Sequence, residues 1–290
     1  MEKIIRNAYA KINLTLEILE KREDGYHNIK SVMQKVSLCD VLTFEFDDSR
    51  DIYLECSKNV CEMKDNLAYK AAEIFFALYS EKTDKPYGVK IHIQKNIPDK
   101  AGLAGGSADC ACVLDCLLEK YGVLSYDDIE AIASSLGSDI NFCLNKYRCA
   151  LCTDRGIVLE KCASYPFENI LICVPEYGMK TSDIYRAFDS NPVRFDHEPS
   201  FTVKDALVNG DVLTIYKNIV NSFEPICERE CPDIEYIKNK MLTYGAQAAC
   251  MSGSGSSVFG IFEDKQKLLA CRDELSAKYK NCFICHAVTE

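Results

Sequence analysis

The chain of 290 residues lacks any apolar run of the roughly 18 residues that a membrane-spanning helix requires. Its opening residues, Met1-Glu2-Lys3, start no apolar signal region, so a cytoplasmic location with no membrane partner is the expectation. Basic charge is in short supply: 34 Lys and Arg face 44 Asp and Glu, a formal net charge of −10. Proteins that bind nucleic acid usually carry a basic face, so no nucleic acid is expected as a partner. A small anion is a different matter, because local dipoles and a few lysines suffice to hold it. Low-complexity tracts and evident repeats are also absent. What is present is 48% hydrophobic and 27% charged residues, enough for a packed core under a polar surface. The length allows two domains of ordinary size.

Cysteine is abundant, at 17 residues. In a chain of this kind these read as reduced thiols serving as small apolar residues. Two Cys-x-x-Cys pairs occur, Cys149/Cys152 and Cys282/Cys285, each in an apolar, strand-like context without flanking Gly or Pro. Positions i and i+3 of a strand point to opposite faces, which argues against either pair chelating one metal.

Hydrophobic periodicity places the elements. Residues 10–19 alternate strictly, with Ile12, Leu14, Leu16 and Ile18 on one face and Lys11, Asn13, Thr15 and Glu17 on the other, the pattern of a half-buried strand. Glu23-Asp24-Gly25 then marks a turn. Residues 41–46 and 89–93 alternate again, and 66–79 carry a helical apolar stripe. A further helix over 127–136 is ended by Gly137. After Gly156 come a strand at 170–174, a short helix at 182–188 and a surface loop at 189–200. Helices at 211–220 and 234–244, a strand at 258–262 and a helix at 265–280 complete the chain. The mixed order points to two α+β domains meeting near residue 156.

The residues Gly102-Leu103-Ala104-Gly105-Gly106-Ser107, following Ile97-Pro98-Asp99-Lys100-Ala101, carry the most information. A proline ends an alternating strand, a loop with three glycines follows, and Ser107 opens a helix over 108–120. Glycines let backbone N–H groups approach an anion closely, and a helix N-terminus presents unpaired donors and a positive dipole end. Together they make a phosphate cradle. The spacing fits neither the P-loop nor the dinucleotide fingerprint, so a phosphoryl-transfer enzyme of another kind is indicated.

Four further constellations bear on chemistry. Lys11 and Asn13 project from one strand face, where the lysine suits a phosphate, although periodicity alone reads that face as solvated. Asp139, after Leu136-Gly137-Ser138, stands at a helix-to-loop junction where an acid can accept a hydroxyl proton or cap a helix. Ser252-Gly253-Ser254-Gly255-Ser256-Ser257 is a second small-residue loop, read as an anion site or a flexible turn. Tyr26-His27 offers an aromatic face and a donor/acceptor ring suited to a nucleobase.

Taken in order, Ala8-Tyr9-Ala10-Lys11-Ile12-Asn13-Leu14, the Gly102–Ser107 loop and Met251-Ser252-Gly253-Ser254-Gly255 resemble the three motifs of the GHMP kinase superfamily. Asp65-Asn66-Leu67, Gly137-Ser138-Asp139-Ile140 and Asn221-Ser222-Phe223-Glu224 support the match, which runs from about residue 6 to residue 262. The resemblance implies an α+β fold with an N-terminal ribosomal-protein-S5-like domain over 1–156 and a C-terminal ferredoxin-like α/β domain over 157–290. It implies an ATP-dependent kinase acting on an alcohol. The loop Gly102, Leu103, Ala104, Gly105, Gly106 and Ser107 would wrap the ATP phosphates, with Asn66 near the adenine. Asp139 and Lys11 would be catalytic, and Ser107 is the candidate ligand for Mg²⁺. Asp24-Gly25-Tyr26-His27 points to members acting on a small cytidine-diphosphate-linked alcohol of isoprenoid-precursor synthesis. Asn13, Tyr26, His27, Thr181 and Tyr185 would line its site. A homoserine or mevalonate-like alcohol as acceptor, and a non-catalytic ligand sensor of the same fold, stay open at this point. The expected assembly is a monomer or weak homodimer.

Overall fold

The computed structural model describes residues 3–58, 61–178 and 180–289; Met1 and Glu2, on which the signal-region reading partly rests, lie outside them. The first half of the chain forms β1 (Lys3–Asn13), β2 (Thr15–Lys21), β3 (His27–Phe46), β4 (Ile52–Cys56), α1 (Leu67–Lys82), β5 (Val89–Gln94), α2 (Gly105–Tyr121), α3 (Tyr126–Leu136) and α4 (Ser138–Leu144). Then follow β6 (Cys149–Thr153), β7 (Val158–Lys161), β8 (Ile170–Val174), α5 (Thr181–Ser190), α6 (Pro199–Asn209), α7 (Val212–Lys217) and β9 (Val220–Asn221). The chain closes with α8 (Glu224–Glu230), α9 (Pro232–Thr243), β10 (Ala248–Met251), β11 (Val258–Ile261), α10 (Lys265–Ser276) and β12 (Asn281–Cys285). Among the described residues no helix is long and apolar enough to cross a membrane.

Two compact units emerge, and their segments interleave along the chain. One comprises Met1–Ala10, Cys39–Asp99 and Ala104–Lys146; the other Lys11–Leu38, Lys100–Leu103 and Tyr147–Glu290. Both β1 and β3 therefore contribute residues to both units.

In the first unit the C-terminal half of β3 pairs antiparallel with β5, from Val41↔Gln94 to Phe46↔Val89, and β4 pairs parallel with β5. Alternation turns Leu42, Phe44, Ile91 and Ile93 into a core that also takes Phe75 and Phe76 of α1 and Leu114 and Leu117 of α2. Helix α1 starts where it does because the Asn66 side-chain oxygen accepts the Ala68 N–H at 2.9 Å, an N-cap worth about 1 kcal/mol. Ser125 and Asp128 form a reciprocal capping box at the start of α3, satisfying donors that a helix end leaves open.

In the second unit β3 pairs antiparallel with β2 and with β6, while β9 joins β2 in parallel. A separate four-stranded sheet runs in the order β10-β11-β8-β12, all antiparallel. Its central strand β8 is buried at every residue, which explains its unbroken run Ile170-Leu171-Ile172-Cys173-Val174. Leu171, Phe223, Ile234, Met241, Met251 and Leu268 anchor the core on this sheet.

Several expectations are corrected. The strand over 10–19 is interrupted by a bend at Leu14. Its polar face is not solvated either: Lys11, Asn13, Thr15 and Glu17 are 3%, 1%, 0% and 6% exposed. Periodicity says which way a side chain points, not what covers it. Helix α2 begins at Gly105, two residues before Ser107, because glycines adopt helical geometry wherever neighbours hold them. Helices α6 and α8 were not anticipated: Pro199, within the stretch read as a loop over 189–200, and Pro225 both stand in the first turn, the helical position where a missing N–H costs nothing.

Candidate active site

The glycine loop connects β5 to α2 through an unusual backbone path. Lys100, Gly102 and Ala104 all have positive φ, at 51°, 75° and 58°. Ala104 is the residue from which α2 departs, and its carbonyl accepts the Ala108 N–H at 2.9 Å. The N–H groups of Gly105, Gly106 and Ser107 thus fall in the first turn, where a helix supplies no carbonyl partners. The positive end of a 17-residue helix lies behind them.

In the second unit the middle of this loop is locked against the second small-residue loop. The Ser252 hydroxyl donates to the Gly102 carbonyl at 3.0 Å, and the Ser257 N–H donates to the Ala101 carbonyl at 3.1 Å. A methyl group on Gly102 would lie 2.0 Å from the Ser252 carbonyl oxygen, and one on Gly253 would lie 2.9 Å from the Gly102 carbonyl oxygen. Only glycine permits this approach. Ser252, Ser256 and Ser257 are buried, so this segment is a packed element and not a flexible turn. Asn221, a residue of the third supporting motif, holds it from below by donating to the Met251 and Gly253 carbonyls at 2.8 and 2.9 Å.

Lys11 and Asn13 reach the same place from β1. The Lys11 N–H donates to the Leu103 carbonyl at 3.1 Å, and its ammonium donates to Asn13 Oδ1 at 2.7 Å. Asn13 in turn donates to the Ser31 hydroxyl at 2.8 Å, and its N–H to the Ser252 hydroxyl at 3.3 Å. A methyl on Gly253 would stand 3.2 Å from the Lys11 ammonium.

His27 forms a second group in this unit. Its Nε2 lies 2.7 Å from Asp189 Oδ1, its ring stacks on Tyr185 with centroids 5.1 Å apart, and Phe188 meets it edge-on. Hydrogen bonds from Lys21 and then His27 hold the Asp189 carboxyl below the ordinary carboxylate range. Thr181 and Tyr185, one helical turn apart on α5, share a face, and the Thr181 hydroxyl lies 2.8 Å from the Ser254 hydroxyl. Tyr26 does not join its neighbour: it is 55% exposed with the Arg155 guanidinium over its ring. Asp189 was missed in the sequence because nothing in its local pattern marks it.

In the first unit Asp139 is the second residue of α4, and the N-cap position is held by Gly137, which makes no side-chain cap, so Asp139 is not the N-cap residue. Asn66 spends its oxygen on the α1 cap and donates its amide to Cys56 Sγ at 3.5 Å. Of the Cys-x-x-Cys pairs, Cys149 and Cys152 are both buried in β6, while the Cys282 sulfur stands 3.3 Å from that of Cys173 on β8.

A family model described as "GHMP kinases N terminal domain" matches residues 66–146, and one described as "GHMP kinases C terminal" matches residues 203–281. The two segments lie on either side of residue 156. The 4-diphosphocytidyl-2-C-methyl-D-erythritol kinase of Clostridium kluyveri is 37% identical over 284 residues, 97% of this chain and 99% of that protein. The chain belongs to this kinase family. The corresponding kinase of Caldanaerobacter subterraneus is 39% identical over 274 residues, 94% of this chain and 92% of that protein. A crystal structure of 4-(cytidine 5'-diphospho)-2C-methyl-D-erythritol kinase superposes with a TM-score of 0.83 at 31% identity, covering 99% of this chain and 100% of that one. A homoserine kinase from Cytophaga hutchinsonii shares the fold with a TM-score of 0.72 at 14% identity, covering 100% of this chain and 95% of that one. As a GHMP kinase the chain is an ATP-dependent phosphotransferase, and its two interlocked loops carry two of the three motifs read from the sequence.

Proposed function

We propose that this kinase transfers the γ-phosphoryl group of ATP to the C2 hydroxyl of 4-diphosphocytidyl-2-C-methyl-D-erythritol, a step in non-mevalonate isoprenoid-precursor synthesis. The observation that carries the chemistry is the locking of Gly102 against Ser252 beside the buried Lys11 ammonium. Phosphoryl transfer asks mainly for positioning and charge stabilisation, and these groups supply both. The N–H groups of Gly105, Gly106 and Ser107 hold the nucleotide phosphates, and Lys11 offsets charge on the group in flight. Asp139 accepts the proton of the attacking hydroxyl. Asn13 orients Lys11. His27 and Tyr185 form a flat, partly aromatic wall suited to a cytosine ring, with Asp189 holding one ring nitrogen so that the other faces the base.

Mg²⁺ commonly keeps several waters and is held by substrate phosphates with one or two protein oxygens. Among the described residues no group of three or more His, Cys, Asp or Glu side chains could hold a metal ion. The Ser107 hydroxyl in the first turn of α2 offers one hard oxygen ligand. That donor set fits an ion arriving with the nucleotide, and Mg²⁺ bound there would neutralise charge on the phosphates.

The decisive assay measures ADP release with Mg-ATP and three alcohols in parallel: the diphosphocytidyl-methylerythritol, mevalonate and homoserine. Turnover with the first alone is expected. Turnover with another would keep the phosphate site and discard the cytosine wall. Asp139→Asn is expected to lower kcat by several orders of magnitude with ATP binding retained; near-normal turnover would remove Asp139 from the mechanism.

A further inference from the structure

A buried charge cluster stands behind the glycine loop, outside the motifs that identified the family. Asp40 on β3 is fully buried. Its Oδ1 accepts the Asn96 and Ile97 N–H groups at 2.5 and 2.8 Å, and its Oδ2 accepts the Lys95 ammonium at 2.5 Å. The same ammonium donates to Asp109 Oδ2 at 2.7 Å. Asn96 and Ile97 lead into the loop, and Asp109 is on the second turn of α2, into which the loop runs. The two ends touch: a methyl on Gly105 would lie 2.9 Å from Ile97 Cγ2 and 3.6 Å from the Lys95 ammonium.

The charges do not balance, since one ammonium serves two carboxylates. Asp109 bears the consequence. It is 2% exposed, its Oδ1 is buried with no hydrogen-bond partner, and burial pushes its carboxyl up to about 7. A lone buried carboxylate oxygen costs stability. For structure alone, an apolar side chain of similar volume would serve better. What the carboxyl provides that an apolar group cannot is a tether from α2 through Lys95 to the strand that holds the loop entry.

We propose that Asp40, Lys95 and Asp109 form a clamp that fixes the entry and exit of the glycine loop relative to each other, with Asp109 a positioning residue for nucleotide binding. The proposal rests on the reading of this loop as the nucleotide site. The N–H groups of residues 105–107 bind phosphate only if the first turn of α2 keeps its place beside Ile97. The clamp supplies that constraint through charged hydrogen bonds, which are short and directional.

The test is Asp109→Leu in the full chain, which fills the volume, leaves a balanced Lys95–Asp40 pair and cuts the tether. Its urea midpoint should be no lower than that of the wild type. Its affinity for ATP by calorimetry should fall about tenfold, the scale of one charged hydrogen bond. KM for ATP should rise in parallel while KM for the alcohol holds. Asp109→Asn, which keeps an oxygen for Lys95, should recover most of the loss. Should the leucine variant fail to fold, Asp109→Ala carries the same expectation for ATP affinity and the two KM values, with a lower urea midpoint from the space it leaves. Wild-type ATP affinity in a folded leucine or alanine variant overturns the clamp, as does an equal rise in both KM values. A wild-type chain that binds no ATP overturns the functional reading beneath it.

Discussion

Below the surface, a side chain's chemistry is set by what it faces. Lys11 on β1 and Lys95, just past the end of β5, are both buried; the first donates to the Asn13 amide oxygen beside two glycine loops, and the second is shared by two carboxylates. The second has its anions built in. Asp109 is where that built-in charge is in excess, and this gives a dependence on pH with a definite sign. Its folded-state carboxyl is raised to about 7 from an ordinary value of 3.8, chiefly by burial, so the native state holds its proton more tightly than the unfolded chain does. Well below pH 3.8 both states are protonated and the group contributes nothing. As pH rises from there toward 7, the unfolded carboxyl ionises freely while the buried one resists, and the native state loses stability relative to a neutral side chain. Above about pH 7 the penalty is constant. Urea unfolding of the wild type and Asp109→Asn should therefore show the variant gaining between pH 4.5 and 7 and a level difference from pH 7.5 upward. A difference flat across the whole range would mean that Asp109 titrates as an ordinary surface acid.

Among the elements, the loop between β5 and α2 owes its shape to glycine at one position above all. Gly102 has φ +75° and a methyl there would lie 2.0 Å from the Ser252 carbonyl oxygen; Gly210, which ends α6, has φ +67° with nothing within 4 Å of the added atom. Alanine at either site meets the strain of a left-handed backbone, about 1–3 kcal/mol. Only at Gly102 must a second loop also move. Gly210→Ala should lower the urea midpoint modestly and leave ATP binding intact, whereas Gly102→Ala should lower it further and weaken ATP binding by at least tenfold. Equal effects at the two sites would show that the two loops do not depend on each other's close approach. This loop was legible in the sequence because its glycines, proline and helix start are consecutive and each has a local cause. Asn66 and Gly137 punctuated α1 and α3 for the same reason, while the Ser125 cap of α3 was passed over. Legibility ended where the cause is remote. Asp40 clamps the loop from 55 or more residues away in the chain, Asp189 reaches His27 across 162, and the polar face of β1 and β2 is covered by segments that periodicity cannot see. Proline misled at α6 because the same residue that breaks a helix interior is well suited to its first turn.

At the scale of the molecule the relevant fact is that the two units are not two consecutive stretches of chain. One takes Met1–Ala10, Cys39–Asp99 and Ala104–Lys146, and the other takes what lies between and after. Strand β1 passes from one to the other after Ala10 and β3 after Leu38, each without a linker, and the glycine loop crosses the boundary twice. Fraying one unit pulls directly on strands of the other, so unfolding should be a single cooperative transition. The cysteines are placed to report it. Cys61 is exposed, five more are half-buried, and eleven are buried. Cys110 and Cys116 belong to the first unit, and the other nine buried thiols, Cys173 and Cys250 among them, belong to the second. Burial also raises the Cys250 thiol well above its ordinary value, and only the thiolate reacts quickly. Labelling with an alkylating reagent across a urea series, read by mass spectrometry of the peptides, should modify Cys61 without denaturant. Cys110, Cys116, Cys173 and Cys250 should become reactive together over one narrow range of urea. If the peptides carrying Cys110 and Cys116 were modified at clearly lower urea than those carrying Cys173 and Cys250, the first unit would be opening on its own, and the shared strands would not be coupling the two.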